Sequence, residues 1–152
     1  MIESNEVLFQ KKVNIIYPVI DLTGKRELIS LNTPFFGLVD IQFQLGSVYV
    51  KTVPFDGIEE MMITVYRGKP NEKSLNDDVI SVSGLIEVGK DGIILGAGGS
   101  TEAVFQWQEG LTDVLVVVKT LDVSKKQIRS ITFYLQYFQK SKHKNQLLNL
   151  FQ

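Results

Sequence analysis

Apolar and polar residues alternate with a period of two along most of the chain, the repeat of a strand with one buried face. The run VNIIYPVI at 13–20 is β-branched and aromatic. In LVDIQFQL (38–45), Ile41 and Phe43 point one way and Gln42 and Gln44 the other. SVYVKTV (47–53) follows a turn at Leu45-Gly46, and MMITVYRG (61–68) sets Met61, Ile63 and Val65 on one face. DVISVSGLIEV (78–88) and GIIL (92–95) flank GKDG, a four-residue turn with glycine at both ends. TEAVFQWQ (101–108) directs Ala103, Phe105 and Trp107 inward, so Trp107 is expected in the core. DVLVVVKTL (113–121) and IRSITFYLQYF (128–138) complete a series of roughly nine or ten strands.

Turn residues recur between these runs, at Thr23-Gly24, Gly46-Ser47, Asp56-Gly57, Lys90-Asp91-Gly92, Gly98-Gly99 and Glu109-Gly110. That spacing is typical of an antiparallel sandwich or barrel. Over residues 1–140 no helical stripe with caps is visible, and strands do not alternate with helices, which excludes a doubly wound α/β fold. The expected architecture is all-β: a two-sheet antiparallel β-sandwich of jelly-roll or Greek-key type over residues 1–139, followed by a short C-terminal extension, 140–152. RGKPNEKSLNDD (67–78) reads as a long polar loop. Phe35 and Phe36, between Pro34 and Gly37, read as an apolar plug at one end of the sandwich.

The last two strands depart from clean alternation. Val114, Val116 and Val118 share one face of the first, and Leu115 and Val117 the other. In the second, Ile131, Phe133, Leu135 and Tyr137 stand against Tyr134 and Phe138. Strands apolar on both faces call for cover on both. The extension adds Leu147, Leu148, Leu150 and Phe151 after a basic spacer, a pattern suited to docking on a neighbour. Tyr134, Phe138, Leu147, Leu148, Leu150 and Phe151 are therefore the candidate interface.

Composition narrows the chemistry. In 152 residues there is no cysteine, which removes disulfides, thiolate metal sites and thiol nucleophiles. A net charge of −1 gives no field directed at nucleic acid, and Lys140, Lys142 and Lys144 are too few to claim one. No run is apolar enough to span a membrane, and the first residues lack the pattern of a secretory signal. The expected location is the cytoplasm, or a virion assembled there.

Gly96-Ala97-Gly98-Gly99-Ser100-Thr101 resembles a phosphate loop only in its glycines. It carries no lysine at the required place, and the residues after it read as a strand, so no helix N-terminus aims amides at an anion. His143, the one histidine, lies among lysines and lacks the partners of a triad or a metal site. Glu59-Glu60 and Asp77-Asp78 are adjacent, so on a strand each pair diverges. Asp77-Asp78 lacks the spacing of a calcium loop, and Glu102, Glu109 and Asp113 show no acid–base arrangement of the glycosidase kind. No catalytic, metal or cofactor-binding residue is assigned, and the chain is expected not to be an enzyme.

These readings lead to a non-enzymatic structural or assembly protein that forms a homo-oligomer or larger particle with its own copies or a companion protein. A bacteriophage virion component is the expected setting: capsid decoration, collar, baseplate or fibre attachment. The alternative is a β-sandwich module that binds carbohydrate or another ligand through loop 67–78 and aromatics such as Tyr49, Tyr66 or Trp107.

Overall fold

The computed structural model describes residues 5–15, 19–25, 39–52, 59–70, 79–98, 100–122 and 127–138. They form strands β1 (Glu6–Ile15), β2 (Val19–Thr23), β3 (Val39–Phe43), β4 (Ser47–Thr52) and β5 (Glu59–Arg67). The series continues with β6 (Val79–Val88), β7 (Ile93–Ala97), β8 (Ser100–Phe105), β9 (Gly110–Asp122) and β10 (Gln127–Tyr137). Among the described residues there is no helix. The all-β sandwich expected from the alternation is the fold.

The first sheet has the order β1-β5-β10-β9-β6 and the second β3-β4-β2-β7-β8. The chain changes sheet between β1 and β2, β4 and β5, β6 and β7, and β8 and β9. Every pairing is antiparallel except β5 with β10, which run parallel at the centre of the first sheet. A parallel pair needs a long crossover, and here β6 to β9 provide it.

Period-two patterning builds the core. Met61, Ile63 and Val65 of β5, Val114, Val116 and Val118 of β9, and Ile131, Phe133 and Leu135 of β10 face inward and are buried. Ile20 and Leu22 of β2, Val48 and Val50 of β4, and Ile93 and Leu95 of β7 meet them from the second sheet. At one side Phe9 of β1 meets Phe105 of β8 edge to face, with centroids 6.4 Å apart. At the other, Phe43 of β3 lies on Gly84 of β6; a Cβ at Gly84 would come within 2.5 Å of the ring. The two sheets are thus stacked with β1 above β8 and β6 above β3.

Two connections differ in kind. The glycine-rich stretch after β7 is a tight hairpin between β7 and β8, with Gly98 at φ 60°. The Gly98 amide donates to the Val19 carbonyl at 2.8 Å, so it is committed to the fold rather than offered to an anion. Gly89-Lys90-Asp91-Gly92, between two strand-like runs, is not a hairpin turn. Its flanking strands lie in different sheets, so it is an arch across the sandwich. Gly92, at φ 77°, has no room for a Cβ, which would fall 2.2 Å from the Phe105 carbonyl oxygen.

Substituting Gly84→Ala is expected to push Phe43 aside and destabilise the fold by about 1–3 kcal/mol. Replacing Phe43 by leucine in the same chain should recover part of that loss. Urea midpoints of the two variants and the parent check it.

Candidate functional site

The outer face of the first sheet is set by the residues that alternate with the core. From β5 come Thr64 and Tyr66; from β10, Thr132, Tyr134 and Gln136; from β9, Leu111, Asp113, Leu115 and Val117; from β6, Ser81, Ser83 and Leu85. The parallel β5–β10 register sets Tyr66 opposite Tyr134, and their rings stack at 5.1 Å and 15°. Leu115 stands next to Tyr134 across the β9–β10 pair, with Ser83 beyond it. Asp113 is the charged side chain at the middle of this set, and Lys12, Glu60, Glu87 and Lys119 share the outward register further along the strands. Val117 is buried between Thr132 and Ser81, its neighbours in the same row.

At the ends of β5 and β10 the inward-facing register closes the sandwich with an aromatic cluster. Trp107, in the connection from β8 to β9, is buried as its register predicts. Its indole N–H donates to the Thr112 hydroxyl at 2.8 Å, inside the protein. Tyr137 stacks on the indole with centroids 4.5 Å apart, and the Arg67 guanidinium sits 5.1 Å from the ring centroid. Glu6 Oε2 approaches Arg67 at 3.6 Å. Tyr137 in this cluster (40% exposed) is open to solvent, as are Val7 (52%), Leu111 (43%) and Leu85 (38%) on the outward register of the sheet. Aromatic and arginine side chains with few other charges are enriched in the interior of protein–protein contacts.

Tyr134 and Phe138 fall within this region. Both are half-buried, and the Phe138 amide donates to the Leu111 carbonyl at 3.1 Å. Leu147, Leu148, Leu150 and Phe151 lie outside the described residues, as do His143, Phe35, Phe36 and Asp77-Asp78. Glu102 and Asp113 lie in different sheets, with exposed Glu109 in the connection between them. Among the described residues no group of three or more histidine, aspartate or glutamate side chains could hold a metal. Arg67, Leu85 and Leu111 were not singled out from the sequence. Nothing local marks Arg67 as a partner of Trp107, because the strand order alone brings them together.

A cleft of about 630 Å³ opens at the end of the sandwich beside Thr23, Gly24, Lys25, Ile94 and the arch Gly89–Gly92. Its polar groups are largely spoken for. Lys25 Nζ reaches Glu87 Oε1 at 3.3 Å, the Gly24 and Lys25 amides both donate to the Gly46 carbonyl, and the Gly89 amide donates to Gly24. On the outer face of the second sheet Asp21 is pressed against Gly96, and Thr23 donates to its Oδ2 at 2.9 Å. Burial raises the Asp21 pKa above the ordinary aspartate value, while the bond from Thr23 pulls the other way.

No family model and no curated protein matches the chain. A solved structure does. The chain shares its fold with ComJ. That protein, from Bacillus subtilis, is an inhibitor of the DNA-degrading activity of NucA. The likeness covers 90% of this chain and 100% of ComJ, with a TM-score of 0.63 and 10% identity. At such identity it establishes the fold.

The expectation of a structural or assembly protein, and of a bacteriophage virion component in particular, is corrected by this likeness. The matching fold belongs to a nuclease inhibitor and not to a virion protein. The expectation rested on an analogy with capsid jelly rolls, and sandwich architecture does not carry function. The two-sided strands behind it also divide: Val114, Val116, Val118, Ile131, Phe133 and Leu135 serve the core. Among the described residues no helix is long and apolar enough to cross a membrane.

Thr112→Val leaves the buried Trp107 N–H without its acceptor and is expected to cost about 1–3 kcal/mol; thermal melts followed by Trp107 fluorescence measure it. For Asp21, a raised folded-state pKa means that the fold favours the protonated form. Its contribution is present below the ordinary aspartate value and is lost as pH rises through the raised one. Asp21→Asn is therefore expected to melt higher than the parent at neutral pH, the gap closing toward about pH 4.

Proposed function

We propose that this chain is a protein-binding module of the inhibitor kind, acting by occlusion rather than catalysis, with a DNA-degrading nuclease as its target class. The observation that carries this reading is the aromatic and leucine-rich outer face around Tyr66, Tyr134, Leu111 and Leu85, with the Arg67–Trp107–Tyr137 cluster at the adjoining end of the sandwich. It is supported by a fold shared over the full length of an inhibitor protein.

The charge pattern bears on the mode of action. With 17 acidic against 16 basic residues, the chain is no polyanion imitating a DNA backbone. Affinity then comes from burying apolar area, with Arg67 and the tyrosines as anchors, Glu6 and Glu87 toward the margin and Asp113 among the leucines. Such a contact depends weakly on salt, unlike one steered by long-range charge. The placement of Trp107 favours a protein target over a sugar. Its ring is covered by Tyr137 and Arg67 instead of offering a flat open face.

The purified chain is expected to suppress DNA degradation by a nuclease of the NucA kind at near-stoichiometric amounts, with little change between low and moderate salt. Leu111→Asp combined with Tyr134→Ala, at positions that leave the core intact, should weaken inhibition at least about tenfold, a loss of about 1.4 kcal/mol or more. Circular dichroism confirms the fold of the variant. Full nuclease activity in the presence of excess parent chain overturns the reading.

A further inference from the structure

The two edges of the first sheet are built differently. β1 carries Glu6, Lys11 and Lys12 along its exposed positions, and its pairing with β5 is broken by a bulge between Val7 and Phe9. Charges and bulges are the usual means of keeping an edge from pairing with another chain. β6 has neither over most of its length. From Val79 to Ile86 it contains no charge and no proline, and its register with β9 runs without a break. Ser81 and Ser83 are exposed, and so are Ile80 (40%) and Val82 (37%) on the opposite face.

The backbone orientation of this edge follows from one hydrogen bond. The Glu87 amide donates at 2.7 Å to the Leu45 carbonyl, in the turn between β3 and β4, and so points away from β9. Period two gives Leu85, Ser83, Ser81 and Val79 the same orientation, while the even-numbered residues face β9. Among the described residues no strand pairs with this side of β6.

We propose that β6 pairs antiparallel with β6 of a second copy of this chain across a two-fold axis at Val82, joining two first sheets into one. The occupant is chosen by self-complementarity. In an antiparallel pair, opposite residues must both point outward or both inward, so a two-fold axis passes through a residue and never between two. With the axis at Val82, Ser81 stands opposite Ser83 of the second copy, and Val79 opposite its Leu85. On the other face Val82 meets Val82, and Ile80 comes beside Gly84 and the Phe43 ring that lies on it. Hydroxyl meets hydroxyl and apolar meets apolar at every position, and no charge is buried. The outward-pointing pairs supply about eight hydrogen bonds. An axis at Ser83 would set Ser81 against Leu85, and one at Ser81 would set Val79 against Ser83.

This pairing shares Leu85 with the surface proposed for inhibition but uses neither Tyr134 and Leu111 nor a nuclease, so the Val82 variants test it separately from the proposed function. Sedimentation of the full chain across a micromolar range is expected to show a monomer–dimer equilibrium. Val82→Lys, which places two ammonium groups face to face at the axis, should weaken the dimer at least about tenfold, whereas Lys12→Ala at the other edge should not. The chain has no cysteine, which allows a clean geometric test. Val82 faces itself as a non-hydrogen-bonded pair, with Cα atoms about 4.5 Å apart, within disulfide range. Under mild oxidation Val82→Cys is expected to give a covalent dimer, and Ile80→Cys, comparably exposed but opposite glycine, is not. A parent chain that stays monomeric throughout, or equal cross-linking of the two cysteine variants, overturns the proposal.

Discussion

Everything in this molecule depends on the apolar layer between the two sheets, and above all on the row that β10 contributes to it. Ile131, Phe133 and Leu135 are fully buried, with β5 on one side and β9 on the other. Because strand side chains alternate, filling that layer fixes what remains on the outside: Tyr134 beside Tyr66, Leu115, Gln136 and Thr132. A shift of one residue in β10 would exchange the two sets. The candidate surface is therefore a by-product of core register.

Close approach of the sheets is the second constraint. Phe43 occupies the space that a side chain at Gly84 would take, and Phe9 and Phe105 close the opposite side. Where β6 extends past the cover of β3, its inward residues Ile80 and Val82 are left partly bare. The same strand is thus well packed at its Ile86 and Val88 end and open at its beginning.

Much of the fold is legible in the residues themselves. Met61, Ile63 and Val65, or Ala103, Phe105 and Trp107, show their buried faces by simple alternation, because burial of one face is a local pattern. The arch at Gly89–Gly92 is not legible in this way. A turn between two strand-like runs has the same chemistry whether the strands pair or part, and only the sheet order decides. The parallel contact of β5 and β10 is invisible for the same reason. With it goes the stacking of Tyr66 on Tyr134, and the strand order likewise hides the approach of Arg67 to Trp107. The valines and aromatics of β9 and β10 call for cover on both faces, and the second sheet supplies it for the half that makes up the core. Of the remaining half Val117 is buried as well, and Leu115, Tyr134 and Phe138 are half-buried beside exposed Leu85 and Leu111.

The parallel pairing also sets a timetable for folding. β9 and β10 meet through a short connection and can associate early, but β10 and β5 are separated by four intervening strands. The centre of the first sheet closes only after that long loop has been gathered in, at an entropic cost that contacts near in sequence do not carry. A chain of this topology belongs among slow folders. While it waits, the late hairpin displays Phe133 and its valine neighbours to water, so the interval before β5 docks is when the nascent protein is most prone to aggregation.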